Sequence, residues 1–262
     1  MLPSPFLLIH GFGSAWKQWQ HNILPLSRYA PVYALDLLGF GWSEKAATVY
    51  NSRLWLEQIY DFWAQFIQRP IILVGHSLGA LVAATVAVDR ANMVQRLILV
   101  TVPNTRQDMI SAPWLQASVG TLERLFTSPL LVRLIFKLAR QPRFIRSALQ
   151  SVYKKSDRVT DSLVSQFVIP TSDRGAAQTL CRLTQSATQP NYSASRQSLL
   201  GAISQPTLII WGLADNIVPL KGCEAEMAAN PQITLTTIPE AGHCLYDECA
   251  DEFNQAIAQW LG

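Results

Sequence analysis

Ile71-Ile72-Leu73-Val74-Gly75-His76-Ser77-Leu78-Gly79-Ala80-Leu81-Val82-Ala83-Ala84 carries no charged residue and changes character in the middle. Its opening is a short continuous apolar run, the pattern of a strand covered on both faces. Its close is rich in alanine and reads as a helix. Joining the two through five residues demands a turn so sharp that Ser77 is pushed toward a strained backbone conformation. Small residues two places to either side let strand and helix backbones approach. A strand of this kind needs parallel neighbours in its plane and helices on both sides, which narrows the fold to the α/β class.

The rest of the chain supplies those neighbours. Phe6-Leu7-Leu8-Ile9 is stopped by His10-Gly11-Phe12-Gly13, and Val32-Tyr33-Ala34-Leu35 by Asp36, Gly39 and Gly41. Leu97-Ile98-Leu99-Val100 is ended by Pro103. Arg53 to Ile67 carries Leu54, Ile59, Phe62, Trp63 and Phe66 at helical spacing and suits a crossover helix. From Pro103 to about Leu200 the text is helical and irregular. Strand-like runs return at Thr207–Gly212 and Ile233–Ile238, followed by an apolar-periodic helix from Asp251 to Leu261. The expectation is a mostly parallel sheet flanked by helices, its core formed by residues 1–103 and 201–262. Residues 104–200 form a helical cap over the carboxyl ends of the strands.

Composition bounds the function. With 262 residues, 49% hydrophobic and 15% charged, intrinsic disorder is excluded. A net charge of +3 is too mild to argue for nucleic acid. The four cysteines show no Cys-x-x-Cys pair and no zinc spacing, so reduced thiols and no metal are expected. No stretch reaches the roughly 18–20 apolar residues of a membrane span, and Met1-Leu2-Pro3-Ser4-Pro5 lacks the pattern of a secretion signal. A soluble, cytoplasmic protein is the expectation.

A serine hydroxyl presented at the amino end of a helix is a candidate nucleophile once a base removes its proton. Of the four histidines, His10 precedes a glycine turn, His21 lies in a loop or helix and His76 is inside the Ser77 turn itself. His243, between the last strand and the last helix, would lie over the same sheet edge as Ser77 and is the candidate base. Asp215 follows the strand that ends at Gly212 and gives the order Ser, Asp, His, so it is the candidate partner of His243. Asp247 and Glu248 are rivals that read as helix-start charges. The N–H groups of Leu78, after the nucleophile, and of Phe12, in the first glycine turn, are the candidate oxyanion donors. Cys244 beside His243 would give sensitivity to thiol reagents, although a lone cysteine beside a base is more often there for packing.

Taken in order, His10–Gly13, Gly75–Gly79, Gly212-Leu213-Ala214-Asp215-Asn216-Ile217-Val218-Pro219 and Ala241-Gly242-His243 resemble the α/β-hydrolase superfamily over residues 6–103 and 205–262. The resemblance implies Ser77 as nucleophile, His243 as base, Asp215 as acid and no cofactor. Sheets of that superfamily usually begin with two further strands. Their absence from the sequence as given would leave Val32–Leu35 as an exposed edge. Haloalkane dehalogenases and epoxide hydrolases on this core use a carboxylate at the elbow, so a serine points instead to acyl transfer to water. Carbon–carbon bond hydrolases and peroxidases share the same triad. A narrower stretch, Ala34–Gly41 together with Ala241–Glu248, is similar to pheophytinases and chlorophyll-dephytylase-like enzymes, which implies a phytyl ester.

The substrate clue lies in the cap. Residues 121–160 hold nine basic side chains (Arg124, Arg133, Lys137, Arg140, Arg143, Arg146, Lys154, Lys155, Arg158) against two acidic ones, Glu123 and Asp157, interleaved with Leu, Ile, Val and Phe. A basic apolar cap suits peripheral contact with an anionic membrane and a lipophilic small-molecule ester. The plainer alternative is a cap that buries its apolar face on the sheet domain. The expectation is therefore a carboxylic ester hydrolase working through an acyl-enzyme. The alternatives are a phytyl ester hydrolase and a triad-bearing sensor of a small molecule.

Overall fold

The computed structural model describes residues 3–109 and 129–262. Glu123, Arg124, Leu125 and Phe126 of the expected cap lie outside the described residues. In chain order the elements are β1 (Phe6–Ile9), α1 (Gln20–Ser27), β2 (Val32–Leu35), α2 (Ser52–Phe66), β3 (Ile71–His76), α3 (Leu78–Asp89) and β4 (Val94–Val100). There follow α4 (Arg106–Met109), α5 (Pro129–Ala139), α6 (Pro142–Val152), α7 (Asp161–Val168), α8 (Ala176–Ala187) and α9 (Arg196–Ala202). The chain then returns to the sheet with β5 (Thr207–Gly212), α10 (Glu224–Ala228), β6 (Ile233–Ile238), α11 (Leu245–Glu248) and α12 (Ala250–Leu261).

The six strands form one sheet in the order β2-β1-β3-β4-β5-β6, and every neighbouring pair is parallel. Successive side chains of the central strands enter opposite cores. Leu7, Ile9, Leu73, Leu97, Leu99, Ile209 and Trp211 point to one; Phe6, Leu8, Ile72, Val74, Ile98, Val100, Leu208 and Ile210 point to the other. Both faces are therefore apolar, which is why these strands read as uninterrupted apolar runs rather than alternating ones.

Helices α2, α3 and α9 cover the first face through Trp55, Leu56, Ile59, Ala80, Ala83 and Leu200. Helices α1, α11 and α12 cover the second through Leu26, Leu245, Tyr246, Phe253 and Ile257. Helix α2 begins where the Asn51 side chain accepts the N–H of Leu54 at 2.9 Å, satisfying one of the donors that a helix start leaves open. Strand β2 is an edge of this sheet and is half-buried along its length.

Between β4 and β5 the described residues hold helices and no strand. A small third core of Leu149, Tyr153, Val159, Leu163 and Val164 joins α6 to α7 and takes in Cys244 from the loop after β6. The helical region is thus packed against the segment that carries His243.

At the elbow Ser77 adopts φ 52°, ψ −115°, a region that side-chain-bearing residues rarely occupy. Its N–H donates to the Val100 carbonyl at 2.9 Å, which helps hold the strained turn. A methyl group at Gly75 would sit 2.2 Å from the Gly79 carbonyl oxygen, and one at Gly79 would sit 2.5 Å from that of His10. Gly201, by contrast, faces open space. Gly75→Ala is expected to destabilise the fold by about 1–3 kcal/mol or more. Gly201→Ala should be neutral or stabilising by up to about 1 kcal/mol. Urea unfolding of the two variants checks the contrast; equal shifts would contradict the packing described for the elbow.

Candidate active site

Because all strands are parallel, their carboxyl ends share one rim, and the loops that leave it carry Phe12, Ser77, Asp215 and His243. The loops after β5 and β6 are tied together there. Ala214 N–H donates to Ala241 O at 3.0 Å and Leu213 N–H to Ile238 O at 3.0 Å. A methyl group at Gly212 would sit 2.3 Å from the Ala241 oxygen, so the end of β5 has room for glycine alone.

This approach brings Asp215 to His243. Asp215 Oδ1 accepts the N–H groups of Ile217 and Val218 at 2.8 and 2.9 Å. Its Oδ2 lies 2.8 Å from His243 Nδ1. Both residues are buried, at 4% and 7% exposure. A carboxylate that holds the Nδ1 proton fixes the tautomer and leaves Nε2 with its lone pair. The two rivals are committed elsewhere: Asp247 accepts the Tyr153 hydroxyl at 2.5 Å, and Glu248 accepts three backbone N–H groups.

His243 and Ser77 line one cavity of about 540 Å³, together with Gly11, Phe12 and His76. The turn bearing Phe12 is braced by His10, whose Nδ1 lies 2.7 Å from Gly11 O and whose Nε2 accepts the Leu37 N–H at 3.0 Å. Leu78 opens α3, so its N–H has no acceptor within the helix and sits at the positive end of the helix dipole. His76 Nε2 donates to the His243 carbonyl at 2.9 Å, and the two rings are 4.7 Å apart. Burial, and next the neighbouring His243, hold the His76 imidazole well below its ordinary range, so it stays neutral. Burial likewise lowers His10.

The remaining wall is mainly apolar: Phe136 and Ala139 of α5, Ile145, Leu149 and Val152 of α6, Phe167, Leu180 and Ile217, with Arg140 and Thr171 among them. At the floor, Gln18 binds four partners. Its oxygen accepts the hydroxyls of Ser14 and of Tyr246 (2.5 Å), while its amide donates to Tyr153 OH at 3.0 Å and Cys244 Sγ at 3.3 Å. That uses its full hydrogen-bonding capacity, so the floor is polar in composition yet satisfied within the protein. Gln18 and Tyr153 carry no motif and were not among the residues singled out from sequence, and Glu248 was named there only as a rival of Asp215. Glu248 alone offered a signal, as a carboxylate close after His243, and it reads there as a helix-start charge. Among the described residues no cluster of three or more His, Cys, Asp or Glu side chains could hold a metal ion. No helix among them is long and apolar enough to cross a membrane.

Comparison with known proteins bears on this arrangement. The profile of the alpha/beta hydrolase fold family matches residues 4–249. The chain belongs to that family. It is 31% identical over 262 residues to the dihydrolipoyllysine-residue acetyltransferase component of the acetoin cleaving system of Cupriavidus necator, covering 98% of this chain and 63% of that protein. The chain thus spans less than two thirds of that relative's length. Epoxide hydrolase 3 of Xenopus tropicalis is 25% identical, with 97% of this chain and 70% of that protein covered. Among solved structures, a meta-cleavage product hydrolase from Pseudomonas fluorescens IP01 superposes with a TM-score of 0.79 at 21% identity, covering 99% of this chain and 91% of that one. A thermophilic esterase from Thermogutta terrifontis gives 0.76 at 23% identity, covering 99% and 90%. At such identities these two likenesses establish the fold.

Two outcomes follow for this alpha/beta hydrolase. The unfolded chain takes up protons at His10 and His76 near their ordinary value of 6.5, whereas the folded chain resists them. Stability is therefore complete above that value and falls below it, by up to about 1.4 kcal/mol per pH unit for each ring. Asp247 and Glu248, pushed up by burial, protonate more readily in the fold and act in the opposite sense at lower pH. Urea midpoints should drop between pH 7.5 and 5.5, and His76→Asn should flatten that slope; equal slopes would exclude His76 as a source. Cys244 follows the packing reading and not that of a reactive thiol. Burial, and then the Asp247 charge, push its pKa far up, so iodoacetamide should leave Cys244 unmodified in the native protein and alkylate it in urea.

Proposed function

We propose that this chain is a serine hydrolase that cleaves a carboxylic ester of an apolar compound through an acyl-enzyme. Neutral His243 takes the Ser77 hydroxyl proton as Oγ attacks the ester carbonyl. Asp215 holds the imidazole in the required tautomer and offsets the charge it gains. The N–H groups of Phe12 and Leu78 meet the oxyanion. The imidazolium then protonates the departing alcohol, and water, deprotonated by the same ring, releases the acid and restores Ser77.

The observation that carries this reading is the 2.8 Å contact between Asp215 and His243 on the wall of a cavity shared with Ser77. The apolar walls and the saturated Gln18 floor favour a substrate with few polar groups beyond the ester. Relatives named as epoxide hydrolase and acetyltransferase component keep other chemistries in view, and the serine at the elbow favours acyl transfer over epoxide opening. The size of the cavity accommodates a long chain, which keeps phytyl and other lipid esters within the class. Leu134, Ile135, Leu138 and Phe144 are exposed at 60%, 50%, 50% and 44% beside Arg133, Lys137, Arg140 and Arg143. That mixture supports peripheral contact with an anionic membrane as the route by which such a substrate arrives.

A fluorophosphonate probe should label Ser77 in the wild-type chain and not in Ser77→Ala. Turnover of p-nitrophenyl esters should rise with acyl length and vanish in both Ser77→Ala and His243→Ala. Asp215→Asn is expected to lower kcat by roughly 10⁴-fold with the fold intact. Labelling without turnover at any acyl length would favour a small-molecule sensor, and absence of labelling in folded protein would end the hydrolase reading. Sedimentation with phosphatidylserine vesicles, but not with phosphatidylcholine vesicles, tests the membrane contact.

A further inference from the structure

Glu248 is entirely buried, at 0% exposure, and sits at the end of α11. Its Oε1 accepts the Gly242 N–H at 2.6 Å, while Oε2 accepts the N–H groups of Lys154 and Lys155 at 2.8 and 3.0 Å. One carboxylate therefore ties the residue before His243 to the segment that leaves α6. A fourth bond runs in parallel, from His243 N–H to the Val152 carbonyl at 3.1 Å. There is no slack at the junction: a methyl group at Gly242 would lie 2.8 Å from Glu248 Oε1, Lys154 N and Val152 O alike. Val152 in turn lines the cavity shared by Ser77 and His243.

We infer that Glu248 is a positioning residue that seats His243 and the cavity wall leaving α6 as a single unit. The direction of the His243 ring follows from where its backbone is held. The N–H of His243 is caught by Val152, its carbonyl by His76, and the preceding peptide by Glu248. Displacing the 152–155 segment pulls on the first and last of these, against the fixed His76 bond, and turns the ring from Ser77. Closure of the cavity wall and readiness of the base thus become one event, and a chain with the wall displaced holds an unseated base. The inference rests on the reading of His243 as base for its consequence in catalysis, while the seating itself is a property of the fold.

Glu248→Gln keeps the shape of the side chain but turns a donor toward at least one of the three N–H groups. Two measurements on the full chain test the inference. Amide hydrogen exchange at Gly242, His243, Lys154 and Lys155 should quicken together in Glu248→Gln while the central strands stay protected. With p-nitrophenyl esters, kcat should fall roughly 10- to 100-fold, as expected when a reacting group is misplaced by a fraction of an ångström to an ångström. KM should change by less than about threefold, because of the loosened 152–155 segment only Val152 lines the cavity and the other apolar walls are untouched. Glu248→Ala should be more severe; if it does not fold, the Gln variant decides. Exchange quickened on only one of the two segments, or a kcat equal to wild type, would overturn the inference. Coupled exchange in a wild-type chain whose Ser77 takes no fluorophosphonate would uphold the seating and count against the hydrolase reading instead.

Discussion

All six strands run in one direction, so every loop at their carboxyl ends opens onto the same rim, and each chemical feature of the molecule depends on that geometry. The rim offers N–H groups at the start of α3 and loops free to approach each other above the sheet. It also imposes a strained serine, because β3 and α3 must meet across five residues. That strain persists because the surroundings over-determine it. Gly75 and Gly79 permit backbone contact closer than any side chain would, and the β4 carbonyl of Val100 takes the Ser77 N–H.

Above the rim, alignment is set by buried polar groups rather than by apolar packing. Asp215 is held by two backbone N–H groups and one imidazole, and His76 is held neutral by burial while it steadies the His243 carbonyl. Gln18 joins Tyr153, Cys244 and Tyr246. In a site of low dielectric an unpaired polar group is expensive, so the fully paired Gln18 amide has a single low-energy arrangement, whereas the buried Nδ1 of His76 is left without a partner. The same saturation leaves little in the floor for a polar ligand to bind. A cavity lined by polar residues at one end would in this way still suit the apolar substrate proposed above.

Much of the architecture was legible because burial on both faces leaves an unmistakable trace. Four apolar residues stopped by a His-Gly turn mark β1, and the covered parts of β3, β4 and β5 read likewise as continuous apolar runs. The strand β4 shows what that trace omits. It begins at Val94, three residues before its apolar run, since Gln95 is exposed and Arg96 stacks on Trp260 at 5.2 Å instead of entering a core. Asp247 and Glu248 show a second kind of omission. Both look like ordinary helix-start charges beside α12, yet both are buried and bonded to the segment after α6, about ninety positions away. No local pattern announces a partner at that separation.

The sequence by itself determined the parallel sheet, the strained serine and a short set of candidate partners, because each follows from spacing along the chain. Tertiary structure alone decided that Asp215, and neither neighbouring rival, meets His243, and that the helices between β4 and β5 roof an apolar cavity over Ser77. It alone revealed a buried carboxylate that binds that roof to the histidine loop. The division has a physical cause. Backbone geometry and burial write themselves into local residue patterns, whereas a hydrogen bond between distant segments is specified by the relative placement of whole loops, which no stretch of the text contains.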